Sequence, residues 1–482
     1  MKYLIAIFVL LMSNPGIAQA NLDIALPEMG DSAGALVSPI EEYQVGQSFY
    51  WRLQQSVTLV EDPEVNSYIR SLGHRLVANS DDPGRSFTFF VVPDTSVNAF
   101  AAPGGFIGIN TGLMLTSEAE SELASVLAHE IAHVTQRHIL RNFERSKRMS
   151  VPMTAAMIAA ALLGVADPSA GSAAIMAVQA GNVQMQLDYS RAHEAEADNL
   201  GMQTLVNAGF DPHAMPRFFE RLQVAGRFYG GSQVPEFLRT HPITGSRIAD
   251  ARGRAANLTP RPQIRDQEQF YLMREKLRVM SNSNMRELIK VYEDKLKENT
   301  DEDMSATRYG YALALLKNGN LTQARDEIND LIASDDNRLS YHLALADVEI
   351  ASGRMDAALA IYSDFQRVYP DDWALSIKQV QALLRANQPR RAVPILQRQL
   401  DVGESSATLY RLLAQAYGDM GQKSQSHVWL AEHYHSSGRL MQAADQLRIA
   451  ADYARGDEFE LAKISSRLRQ VETDIAMMEQ VR

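Results

Sequence analysis

Cysteine is absent from all 482 residues. No disulfide can staple this fold and no thiol-linked lipid can anchor its N-terminus, so stability rests on packing and on any ion the side chains hold. Positive charge is also scarce. The 47 Lys and Arg face 58 Asp and Glu, a formal net charge of −11, and this excludes a nucleic acid as the natural partner. Long apolar runs are missing too. The one at the start, YLIAIFVLLM from Tyr3 to Met12, is too short to cross a bilayer. With Lys2 before it and a Pro15-Gly16 break and Ala18-Gln19-Ala20 after it, the segment reads as a secretory signal peptide cleaved after Ala20. A chain of this length carries two or three domains.

What is present is an unusual polar cluster in an apolar setting, SVLAHEIAHVTQRH, residues 125–138. At about 100° per residue, His129 and His133 sit about 40° apart on a helix and one turn apart along it. Their imidazoles can converge on one ion. Glu130, about 100° round, can approach that ion without binding it, where a general base must stand. The same arithmetic puts His138 on the opposite side, as a solvated residue at the helix end. Two histidines hydrogen-bonded in a core remain the competing reading until a third ligand is found.

Upstream, SFTFFVVP (86–93) has the β-branched and aromatic composition of a strand. It is followed by two short extended runs around Pro103-Gly104-Gly105. The second, Phe106, Ile107, Gly108, Ile109 and Asn110, is expected to be an exposed edge strand that binds an extended peptide through its backbone; a core hairpin without substrate contact is the alternative. Downstream, YSRAHEAEADNLGMQTLVNAGF (189–210) offers Glu194 and Asp198 on one helix face. Glu196 points away and reads as solvated. One acid on that face suits an ion and the other suits the outer nitrogen of a ligand histidine. Ala192, Ala195 and Ala197 leave room for close helix packing.

The ordered set Asn98-Ala99-Phe100, Pro103-Gly104-Gly105, His129-Glu130-x-x-His133 and Ser190-Arg191-x-x-Glu194-x-x-x-Asp198 resembles the gluzincin peptidases related to the CAAX prenyl endopeptidase and the HtpX heat-shock protease, over roughly residues 40 to 260. The resemblance implies that His129, His133 and Glu194 bind one Zn2+, that Glu130 is the catalytic base and that Asp198 supports a ligand from behind. RTHPITGSRIADAR (239–252) is similar to a His-Pro element of the same family. His241 is there a spare zinc ligand that latches the site, a proton donor to the transition state, or a helix-capping residue. Arg247 is expected in a structural salt bridge. Embedded relatives carry transmembrane helices between the two metal helices. Here the run Val151–Val165 is about 15 residues against the roughly 20 required, so 151–186 is read as a lid over the cleft or a peripheral membrane contact.

After about residue 265 a repeat takes over. Gly319, Gly353, Asn387 and Gly421 follow one spacing, and so do Ala312, Ala346, Val380 and Ala414, and again Ala324, Ala358 and Ala392. The step of about 34 residues with small side chains is that of tetratricopeptide helix pairs. The expected architecture is α+β but mainly helical: signal peptide 1–20, zincin-type metalloprotease domain with a small sheet 21–265, and an α-solenoid 266–482 that binds protein partners and of which 270–482 is expected to fold alone. This order resembles the periplasmic proteases of outer-membrane protein quality control. That resemblance implies unfolded or stalled outer-membrane proteins as substrates, and docking of the repeats on the barrel-assembly machinery.

Overall fold

A computed structural model describes residues 37–145, 191–228, 236–259, 267–298 and 303–480. The expected signal peptide, the 151–186 segment and the 265/266 boundary lie outside the described residues.

The first helix, α1 (Pro39–Ser56), starts with a reciprocal cap in which Ser38 and Glu41 satisfy each other's backbone amides. The second, α2 (Pro63–Val77), is capped by Asp62, which accepts from the Glu64 and Val65 amides. After them come β1 (Thr88–Val92), β2 (Ala99–Ala102), a tight turn at Pro103–Gly105, and β3 (Phe106–Asn110). Gly104 and Gly105 stand at φ +73° and +88°, a region that other residues enter only under strain. A Cβ on either would also strike the backbone of Tyr43 or Ser86.

The sheet order is β1-β3-β2, with β1 parallel to β3 and β2 antiparallel to it. Phe106 to Asn110 thus form the central strand, paired on both sides, and all five residues are buried. The edge-strand role expected of them is corrected here, because their backbone is already consumed by two neighbours. Strand order is a tertiary property: β1 inserts its pairing next to β3 rather than next to β2. Phe90, Ala102 and Phe106 pack with Phe49 of α1, while Phe89, Val91, Ala101 and Ile107 join the main core. Both faces are covered, which explains why SFTFFVVP is apolar without alternation.

Helices α3 (Thr111–Thr116), α4 (Glu120–Thr135) and α5 (His138–Arg145) follow, then α6 (Arg191–Asn207), α7 (Ala214–Phe228), α8 (Glu236–Thr240) and α9 (Gly245–Ala255). The paired helices beyond are α10 (Gln267–Ser281), α11 (Met285–Glu298), α12 (Met304–Asn318), α13 (Leu321–Ser334), α14 (Leu339–Ala351), α15 (Met355–Val368), α16 (Trp373–Arg385), α17 (Pro389–Asp401), α18 (Ala407–Asp419), α19 (Lys423–Ser436), α20 (Leu440–Tyr453) and α21 (Glu458–Gln480).

The periodic residues fall where the repeat requires them. Gly319, Gly353, Asn387 and Gly421 all follow the first helix of a pair, with φ of +88°, +76°, +56° and +76°, the left-handed conformation that ends a helix and reverses the chain. Ala324, Ala358 and Ala392 are fully buried where the helices meet.

One hydrophobic core runs from Val65 and Leu127 through Phe270 and Tyr292 to Tyr341 and Val348. It crosses from the first half of the chain into the repeats without a gap. A buried charge cluster crosses with it: Lys276 on α10 reaches Asp62 at 3.0 Å and also Glu64, and Lys378 on α16 binds Asp347 at 2.6 Å beside the same Glu64. The repeats thus share a core and buried charges with the first half, which weighs against the separability expected from repeat logic alone.

Candidate metal centre

Helix α4 is buried along nearly its whole length, and α6 lies against it. The approach is close because Gly201 has no side chain; a Cβ there would stand 3.0 Å from the His129 amide nitrogen. Glu194 and Asp198 on α6 are thereby brought under His129 and His133 on α4. The short α8 ends at Thr240, and the His241 amide donates to the Phe237 carbonyl at 2.8 Å. That turn delivers a third imidazole.

His129, His133, Glu194 and His241 are buried and their ligand atoms converge. His129 Nε2 is 3.0 Å from His133 Nε2 and 3.3 Å from His241 Nδ1. Glu194 Oε1 is 3.0 Å from His241 Nδ1 and 3.4 Å from His133 Nε2, and its Oε2 is 3.6 Å from His129 Nε2. A tetrahedral ion with bonds of about 2.0–2.2 Å sets donor-to-donor edges of about 3.3–3.6 Å. The set fits such an ion, and four donor groups packed this tightly in an apolar core are hard to explain otherwise.

The outer nitrogens are equally ordered. His129 Nδ1 faces Asp198 Oδ1 at 3.0 Å, and Asp198 is clamped by Arg247 through two bonds of 2.8 Å. Arg247 also reaches Glu194 Oε2 at 2.7 Å and the Pro242 carbonyl at 2.9 Å. It is the structural salt bridge expected, and it ties α6, α9 and the His-Pro turn together. Burial alone would raise Asp198, but the bonds from His129 and Arg247 outweigh it and hold its carboxyl below the usual range. Burial pulls His129 down as well, yet Asp198 and Glu194 push it up to about 9. Glu194 is held well below its ordinary value, since His241, His129 and His133 overcome the cost of burial.

Glu130 stands beside the cluster rather than in it. It is fully buried, neither oxygen makes a well-aligned hydrogen bond, and His241 Nε2 lies 3.4 Å away. Burial pushes its carboxyl above the usual glutamate value.

Of the two residues read as solvated, His138 is corrected, while Glu196 is half-exposed but paired. His138 is fully buried, and its Nδ1 meets His133 Nδ1 at 2.9 Å. Glu196 accepts from His138 Nε2 and from Arg141, both at 3.1 Å. The helical arithmetic failed because α4 stops at Thr135. Arg137 then takes φ +51° and the chain restarts as α5, turning His138 back toward its neighbour. A non-glycine residue in that region needs support, and Arg137 has it: Nε binds Glu42 at 3.0 Å and Nη2 the Val37 carbonyl at 2.7 Å. His193, overlooked in the sequence, stacks on His138 with ring centroids 4.4 Å apart. Its signal was its place one residue before Glu194.

The tautomers form one consistent chain. With His133 Nε2 toward an ion, its Nδ1–H donates to His138 Nδ1, and His138 Nε2–H donates to Glu196. Burial and the neighbouring His133 push His138 down to about 3, which keeps it neutral and able to accept. Each α4 histidine therefore has its outer nitrogen engaged, as ligand histidines do.

The profile of Peptidase family M48 matches residues 63–255 and a tetratricopeptide profile matches 309–373. Over 472 residues the chain is 34% identical to the beta-barrel assembly-enhancing protease of Escherichia coli (strain K12), covering 98% of this chain and 96% of that one. The chain belongs to that family of M48 metallopeptidases. The family extends to the beta-barrel assembly-enhancing protease of Yersinia pestis, 33% identical with 92% of this chain and 91% of that one covered. A mitochondrial metalloendopeptidase of Bos taurus is 41% identical over 59 residues, 12% of this chain and 11% of its own. The chain is thus a metallopeptidase with tetratricopeptide repeats, and no helix among the described residues is long and apolar enough to cross a membrane.

Proposed function

We propose that this protein is an exported, periplasmic zinc endopeptidase of outer-membrane protein quality control, which degrades stalled β-barrel precursors and docks on the barrel-assembly machinery through its repeats. The observation that carries the chemistry is the convergence of two imidazoles on α4 and one carboxylate on α6, with Glu130 beside them. Two neutral imidazoles and one carboxylate suit Zn2+, and when bound it would acidify a water and polarise the scissile carbonyl. Glu130 takes the proton of the attacking water and hands it to the leaving nitrogen; its raised carboxyl suits a group that must hold that proton in between. Asp198, with Arg247 behind it, keeps His129 in one orientation. The leader at residues 1–20 supports export. The name of the Escherichia coli relative supports β-barrel proteins as substrates, and the peptide-pairing role passes from β3 to β2, which pairs on one side only within the described sheet and lies against α4.

His241 is assigned as the latch. Its Nδ1 stands among the ligand atoms, and a fourth protein ligand turns an open catalytic site into a closed one. His241→Ala should raise basal casein cleavage while zinc stays bound; a variant as inactive as Glu130→Gln would make His241 a transition-state donor instead. For the protease reading itself, purified wild-type protein should contain about one zinc per chain and cleave casein, and Glu130→Gln should keep the metal and lose cleavage. Full function in Glu130→Gln would favour a chaperone with a structural ion.

A further inference from the structure

Among the described residues, only two that are not glycine take a positive φ. One is Asn387, in a repeat turn. The other is Arg137, between the helix that carries His129 and His133 and the helix that begins at His138. Arginine suits that backbone poorly, because its Cβ crowds a carbonyl where glycine has no atom. The position therefore carries strain in order to keep a guanidinium there.

Arg137 sets the angle between two helices. Its amide donates to the Val134 carbonyl at 3.0 Å as α4 closes, and its carbonyl accepts from the Arg141 amide at 2.9 Å as α5 opens. A continued helix would place His138 about 140° round from His133, so the approach of their Nδ1 atoms to 2.9 Å depends on this reversal. What holds the reversal comes from α1. Arg137 Nε donates to Glu42 Oε2 at 3.0 Å, and Nη2 donates to the carbonyl of Val37, just before that helix, at 2.7 Å.

Glu42 is itself fixed. It is 3% exposed, and its Oε1 accepts from Arg85 Nη1 at 3.1 Å and from the Gly104 amide at 3.3 Å. Its own amide donates to the Ser38 carbonyl at 2.9 Å, inside the capped first turn of α1. The far end of the helix is braced as well, where the Gln55 side chain donates to the Gly438 carbonyl at 3.1 Å. The guanidinium is thus held from a point that does not follow it.

We propose that Glu42 is a positioning residue of the metallopeptidase: acting through Arg137, it holds the chain reversal that sets His138 behind the ligand His133. The inference rests on the metal-centre reading and adds to it a side chain on a different helix from any candidate ligand. If Glu42 and its arginines served packing alone, their loss would lower the melting temperature and leave the metal untouched.

The test is zinc competition against a fluorescent chelator, with melting temperatures, on full-length wild type, Arg137→Ala, Arg137→Gly, Glu42→Gln and the double variant Glu42→Gln with Arg137→Gly. Alanine and glycine remove the same guanidinium and the same ion pair, but only alanine keeps the left-handed strain. Arg137→Ala should bind zinc about tenfold more weakly than wild type, the lower range for loss of support behind a ligand histidine. Arg137→Gly should stay within about threefold of wild type, since glycine takes that φ unaided. Glu42→Gln keeps the volume but turns an N–H toward donors, and it should match Arg137→Ala. Added to Arg137→Gly it should cost no more than about twofold, because two changes on one route are not additive. Glycine as damaging as alanine, wild-type zinc affinity in Glu42→Gln, or a Glu42→Gln loss undiminished beside Arg137→Gly would each overturn the proposal. Wild-type protein without zinc would overturn the metal-centre reading as well.

Discussion

Replacing His138 by phenylalanine keeps a ring of similar volume against His193 and removes the acceptor that His133 Nδ1 faces at 2.9 Å. When an ion occupies His133 Nε2, the proton is confined to Nδ1, and a buried N–H without an acceptor costs about 1–3 kcal/mol. At about 1.4 kcal/mol per factor of ten, that is a loss of about 5- to 150-fold in metal affinity. Ligand-supporting partners generally cost about 10- to 100-fold when removed, so two routes agree. The assay is zinc competition against a fluorescent chelator for wild type, His138→Phe, His138→Gln and Glu196→Gln, each with its melting temperature. His138→Gln restores an acceptor and should recover most of the affinity, while Glu196→Gln, at the half-exposed end of the chain, should lose only a few-fold. Casein cleavage at saturating zinc should stay within several-fold of wild type, because Glu130 is untouched. Wild-type zinc affinity in both His138→Phe and Glu196→Gln would refute the relay and leave His138 as packing alone.

Gly201→Val should separate α6 from α4, since even one Cβ meets the His129 backbone at 3.0 Å; metal binding should weaken more than tenfold, and a variant with unaltered zinc affinity would show that the helices can slide apart freely. Lys276→Met leaves Asp62 and Glu64 buried with one cation fewer, so unfolding in urea should show a loss of about 3–5 kcal/mol. The isolated segment 267–480 should lack a single cooperative melt, because Phe270, Tyr292 and Tyr341 lose the core they share with the first half; a melt matching the intact protein's would restore the separable arm.

Periodicity made much of this protein legible. Helical spacing placed His129, Glu130 and His133, and the Glu194 to Asp198 interval placed both acids on one face, because each lies inside a single uninterrupted helix. The repeat was legible for a similar reason: the left-handed turn recurs at each pair, and only glycine or asparagine fills it. Three things escaped. His138 lies beyond a break that one positive φ at Arg137 creates, and spacing across a break predicts nothing. The central position of Phe106–Asn110 depends on a parallel pairing with β1, a long-range choice. The shared core depends on α10 packing against α2, although the start of the repeat near 265 suggests a boundary.

Helix α1 touches both ends of the molecule's logic. Near its start, Glu42 holds Arg137 at the turn that presents His138; near its end, Gln55 bonds Gly438, 383 residues away. A contact of such separation closes a very long loop, whose entropic cost grows only slowly with length but must be met before the contact rewards it. Synthesis proceeds from the N-terminus, so this helix must wait for nearly the entire chain before its second anchor exists. A nascent or truncated chain that already carries every candidate metal ligand still lacks the residue that fastens the far end of the strut.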